Sequence, residues 1–111
     1  EVLLPLKSGA DARYRPYNCH ADYFLPAQTL SAAIPTVIEG SYSCHPLLRE
    51  YYSLRVFLDI SPELQAERLM ARNPAAFEAF QTMWIPREEA YFSACRVREH
   101  CDLVLNGSAA E

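Results

Sequence analysis

Arg68 and Arg72 stand four residues apart in PELQAERLMARN, so on a helix they share one face. Like charges at that spacing cost a few tenths of a kcal/mol. The helical neighbours of Arg68 on its N-terminal side are Gln65 and Leu64, and Ala75 and Ala76 follow Arg72, so neither arginine has an acidic partner in its own helix. An unneutralised arginine pair suits a phosphate clamp, because a guanidinium fork matches phosphate oxygens. A solvated face with tertiary ion pairs is the other reading. Glu39-Gly40 closes a second run of interest, PTVIEG. A carboxylate at the carboxyl end of a strand faces the position where open α/β sheets bind ligands. There it can hold a magnesium-bound water or accept a hydroxyl proton, unless it is merely the end of a strand. Asp59, at the end of LRVFLD, has the same placement, but Ser61-Pro62 follows at once and favours a capping role.

The histidines and cysteines are less directed. Cys19-His20, Cys44-His45 and His100-Cys101 are adjacent pairs. Adjacent residues point apart on strands and helices, and the spacings match no zinc pattern, so reduced, half-buried thiols are expected. His20 and His45 are candidates for pocket or loop positions, with no serine or aspartate pattern that would suggest nucleophilic catalysis.

Elements must position these groups. Glu1 to Leu6 read as a helical turn or short strand closed by Lys7-Ser8-Gly9. RYRPYNCH alternates aromatic and polar residues around Pro16, which suits an edge strand or loop. Thr36 to Glu39 predict a short buried strand after Pro35, and Pro46 to Tyr52 one or two helical turns with Ser43 or His45 near the N-cap. Residues 54 to 60 give the clearest strand. Ser61 as N-cap and Pro62 at the first helical position open a helix that Asn73-Pro74 stops near Arg72. Phe77, Phe80 and Trp84 form an apolar helical face suited to core packing. Pro86 starts a further helix toward His100, and DLVLNG, 102 to 107, is a final strand with a turn. Strands alternating with helices predict an α/β fold with parallel strands.

The whole composition narrows the class. At 111 residues the chain has room for one domain, and half of its residues are hydrophobic. A net charge of −4 argues against a non-specific nucleic-acid binder. The longest uncharged stretch, 23 to 38, contains Pro26 and Pro35 among polar residues and is no membrane span. No signal peptide is visible, and the cysteine usage fits a cytoplasmic location.

In order along the chain, LLPLKSG, YRPYN, VIEGSYSCHPLL, LRVFLDISPELQAERLMARN, WIPREEAYF and CDLVLNG resemble the uridine kinase-like branch of P-loop nucleoside kinases. The resemblance implies a partial P-loop NTPase-type parallel sheet with flanking helices, lacking the P-loop strand. It implies ATP and Mg2+ as cofactors and transfer of the γ-phosphoryl to the hydroxyl of a small-molecule acceptor, a nucleoside. Glu39 would sit beside the magnesium through water, and Arg68 and Arg72 would belong to a lid at about 62 to 90. Tyr14, Arg15 and Tyr17 would lie in an acceptor-side segment at about 10 to 30. Glu88 and Tyr91 match the late helical motif, with no chemistry assigned. Relatives of this kind often associate, so a homo-oligomer is among the expectations.

The sequence also departs from that pattern. It contains no G-x-x-x-x-G-K-[ST], the acidic motif after the second strand is missing, and Asn18 stands where many relatives carry an acid. The resemblance therefore covers the C-terminal half to two-thirds of such a kinase, a portion expected to be inactive alone. The alternatives are a non-catalytic ligand-binding or assembly module built on a kinase fold, or a sister kinase with another acceptor.

Overall fold

The computed structural model describes residues 1–109. It is mixed α/β and divides into two compact units, Glu1–Gly40 and Ser41–Glu111.

In the first unit, helix α1 (Leu3–Lys7) ends where Gly9 enters the left-handed region at φ +80°, a conformation that costs glycine nothing. Two antiparallel pairs follow. β1 (Ala12–Tyr14) pairs with β4 (Gln28–Leu30), and β2 (Tyr17–Asn18) with β3 (Tyr23–Phe24). Pro16 falls between β1 and β2, where no ladder hydrogen bond is needed. The Asn18 side-chain oxygen accepts from the backbone N–H groups of His20 and Ala21 and so closes the tight turn of the second hairpin.

The expected strand at Thr36–Glu39 does not form. Residues 33 to 40 are exposed, with Val37 at 89%, and no strand among the described residues pairs with them. A short apolar run has no reason to stay extended without a ladder to satisfy its backbone.

The second unit is built on one parallel pair. β5 (Val56–Asp59) lies beside β6 (Leu103–Asn106) in the register Val56↔Leu103 through Asp59↔Asn106. Helix α2 (Pro62–Arg72) follows β5. Ser61 caps it by accepting from the Leu64 N–H at 3.3 Å, Pro62 opens it, and Asn73-Pro74 ends it, as the sequence requires.

Downstream, α3 (Phe77–Ala79), a π-helical stretch (Phe80–Trp84) and α4 (Ile85–Ala94) run on without a break. Pro86 has no N–H to offer the Thr82 carbonyl, so the α-helical ladder cannot pass through that point unchanged. The wider π turn shifts the helical phase. Phe77 and Phe80 are half-buried, but Trp84 turns outward at 44% exposure beneath the Arg87 guanidinium, instead of completing their face.

Helix α4 also stops earlier than the expected end near His100. Arg96 adopts φ +48°, the Val97 N–H reaches the Phe92 carbonyl, and the Arg96 N–H reaches that of Ser93. This is a Schellman ending with arginine in the position glycine usually takes. It tucks Val97 in, leaving it 3% exposed.

Candidate functional site

The carboxyl ends of β5 and β6 form a cleft of about 670 Å³. Asp59, Ile60, Ser61 and Pro62 supply one wall, Val104, Asn106 and Ser108 another, and Arg98 reaches in from the turn after α4. Residues that alternate along a strand share a face, and here Asp59, Val104 and Asn106 line the cleft from the two paired strands. Its volume lies in the range of small-molecule sites, about 300–1,000 Å³.

The backbone at this end is tightly arranged. A Cβ on Gly107 would stand 3.1 Å from the Asp59 carbonyl oxygen, so the turn after β6 approaches the end of β5 more closely than a side chain allows. The Asn106 side-chain oxygen accepts from the Ser108 N–H at 2.8 Å and holds that turn closed. Arg98 donates to the Asp59 carboxylate at 2.5 Å, and its guanidinium carbon lies 5.9 Å from the centre of the Phe57 ring. Both partners are about half exposed, so the ion pair adds little stability and opens at low cost to an incoming polar group.

Arg68 and Arg72 fall on α2 as the spacing requires, and both are exposed. They differ in their surroundings. Arg68 donates to the Gly107 carbonyl at 3.2 Å, between two residues that line the cleft. Arg72 has no hydrogen-bond or ion-pair partner among the described residues. Asp59 is not the helix cap: Ser61 performs that task and Asp59 pairs with Arg98.

In the first unit, Glu39 lies in the exposed irregular segment. Tyr14 donates to the Gln28 side chain across the β1–β4 pair at 3.2 Å. The Arg15 guanidinium sits over the Phe24 ring at 4.9 Å, and Tyr17 meets the same ring edge-on at 5.1 Å. The Tyr17 hydroxyl donates to the Asp22 carboxylate, which pushes its pKa up. Arg15, Tyr17 and Phe24 thus form one exposed aromatic and cationic patch on the β2–β3 hairpin.

Glu88 and Tyr91 acquire definite surroundings. On α4, Ile85, Glu88, Tyr91, Phe92 and Cys95 are half-buried, at the spacing of one inward face. Glu88 accepts from the Ser41 hydroxyl at 2.6 Å. The Tyr91 ring packs against Tyr42 at 4.8 Å and stacks on His45 at 6.3 Å. Burial raises the Tyr91 pKa, and its hydroxyl has no partner. His45 also accepts from the Leu47 N–H, which makes it the side-chain cap of the turn before Arg49. His20 is an exposed loop residue, and among the described residues no group of three His, Cys, Asp or Glu side chains is arranged to hold a metal.

Sequence reasoning missed Arg98, Asn106 and Ser108. Asn106 and Ser108 had a usable signal, since residues just beyond the carboxyl end of a parallel strand face the ligand position. Arg98 had none, because its partner is 39 residues away. The sequence matches no family model and no curated protein.

Proposed function

We propose that these residues belong to a uridine kinase-like phosphotransferase that moves the γ-phosphoryl of ATP to a nucleoside hydroxyl. In this reading they supply the cleft and the lid arginines of a P-loop-type sheet but not the phosphate cradle. The observation that supports it best is the cleft at the carboxyl ends of a parallel strand pair, with Arg68 fastened to Gly107 at its margin.

Arg68 then keeps the helix in register with the cleft, and Arg72 carries the charge that would meet the transferring phosphoryl. The Arg15, Tyr17 and Phe24 patch offers an aromatic face of the kind that stacks on a base. The described residues do not by themselves form a Mg2+ site. Such an ion would be held chiefly by the nucleotide, with Glu39 reaching it through water.

ATP-dependent phosphorylation of a nucleoside panel by the native polypeptide tests the reading. Arg72→Ala should lower turnover about 10²-fold or more while leaving acceptor binding nearly intact. Unchanged turnover in both Arg72→Ala and Arg68→Ala would remove the clamp. Transfer to other alcohols but to no nucleoside would select the sister-kinase reading. The missing G-x-x-x-x-G-K-[ST] favours a second reading, a ligand-binding or assembly module, and ligand binding without any transfer would select it.

A further inference from the structure

The three cysteines of the second unit are all half-buried free thiols, and two of them are held by the same short segment. The Tyr52 hydroxyl donates to the Ser43 carbonyl at 2.7 Å and fixes the residue before Cys44. Three residues on, the Arg55 carbonyl accepts from the N–H groups of Asp102 and Leu103 at 2.9 and 3.2 Å, and the Asp102 carboxylate accepts from the Arg55 N–H at 2.8 Å. Those bonds fix the residue after Cys101. The segment from Tyr52 to Arg55 therefore brings the two cysteines together, and their thiols share a hydrogen bond. Cys95 belongs to the surroundings of Tyr91, and Cys19 is exposed in the first unit.

We propose that Cys44 and Cys101 form a reversible disulfide and are the redox-sensitive site of this chain. With a low-molecular-weight disulfide such as oxidised glutathione as oxidant, one cysteine thiolate attacks a glutathione sulfur. A protein–glutathione mixed disulfide forms and one glutathione thiolate leaves. The second cysteine gives up its proton, and its thiolate attacks the protein-side sulfur and expels the second glutathione thiolate. Two S–H bonds are replaced by one S–S bond, and oxidised glutathione is reduced to two thiols.

Burial and the neighbouring Cys44 push the Cys101 thiol up, so the exchange accelerates as pH rises toward the thiol range. The bridge would tie the loop at Ser43-Cys44 to the start of β6, at the amino end of the parallel pair. The cleft lies at the other end, so Asp59 and Asn106 keep their places on oxidation. The closed loop also restricts the unfolded chain, which raises resistance to denaturant.

The test is to incubate the native chain with oxidised and reduced glutathione, alkylate the remaining thiols, and map the peptides without reduction. Two of the four thiols should disappear, with a Cys44–Cys101 linked peptide, a mass loss of about 2 Da and a higher urea midpoint. Cys44→Ser and Cys101→Ser should each abolish the link, whereas Cys19→Ser and Cys95→Ser should retain it. A link between Cys44 and Cys95, or stable glutathione adducts on Cys44 and Cys101 without a crosslink, would overturn the proposal. So would the same mixture of pairings from native chain and from chain oxidised in urea.

Discussion

Replacing Arg49 separates two contributions that a buried arginine combines. Its side chain is 6% exposed, and its terminal nitrogen donates to the carbonyl of Cys95, the residue that ends α4, at 3.0 Å. Its Nε is buried with no partner. Arg49→Met keeps much of the apolar stem and loses a hydrogen bond from a charged group, about 1.5–3 kcal/mol. It also loses the favourable placement of a cation at a helix C-terminus, about 0.3–1 kcal/mol. Against this, it removes the unsatisfied Nε, which recovers about 1–3 kcal/mol. The net loss is therefore about 1 kcal/mol. Arg49→Ala removes the stem as well, at about 0.8 kcal/mol per buried methylene, and should cost about 3 kcal/mol in all. Urea unfolding followed by the fluorescence of Trp84, the single tryptophan, reads both variants. With a slope of about 1 kcal/mol per molar urea, the midpoints should fall by about 1 M and about 3 M. Equal losses in the two variants would show that charge dominates and refute the balance. No loss in either would show that Arg49 does not hold the end of α4.

Other substitutions probe the local rules in turn. Arg96→Gly should stabilise the chain by about 1 kcal/mol, because arginine at φ +48° carries a left-handed penalty that glycine avoids; a lower melting temperature would contradict the Schellman reading. Ser61→Ala should cost about 1 kcal/mol and lower the melting temperature by about 4–8 °C, with Ser61→Asp restoring most of it. If alanine matches serine, the cap does not hold α2. The Arg55 backbone N–H and guanidinium hold the Asp102 carboxyl below its ordinary range. A group whose folded pKa is depressed contributes stability above its unfolded value, about 3.9, and that contribution is lost as pH falls through the lower folded value. Unfolding midpoints between about pH 5 and pH 2 should therefore decline less steeply in Asp102→Asn than in the parent chain; identical acid limbs would remove Asp102 from the account.

Local chemistry made the second unit legible where it was strong. Ser61-Pro62 and Asn73-Pro74 mark both ends of α2, and the β-branched and aromatic residues of 56 to 59 mark β5. The end of α4 was hidden because its stop signal is an arginine, which is the usual residue of a helix last turn and not of a left-handed cap. The Asp59–Arg98 pair was hidden because it exists only once α2, α3 and α4 have carried the chain back beside β5. At the site level, the arginine spacing on α2 was readable, but the tie from Arg68 to Gly107 was not, since a backbone carbonyl leaves no trace in residue type.

The two apolar runs, 36 to 38 and 56 to 58, show what such a run encodes. Both carry similar residues, yet only the second is a strand, because β6 supplies its ladder. Even there the message is only half answered. Phe57 packs edge-on against Phe92 of α4 at 5.3 Å, while Val56, Leu58, Leu103 and Leu105 share the opposite face and stay 37% to 69% exposed. Parallel strands read as continuous apolar runs because both of their faces are ordinarily covered. Alternate positions of β5 therefore respond to different partners, and a helix that covers one face says nothing about the other. An apolar run specifies a demand for neighbours, and whether it becomes a strand depends on which neighbours the chain folds against it.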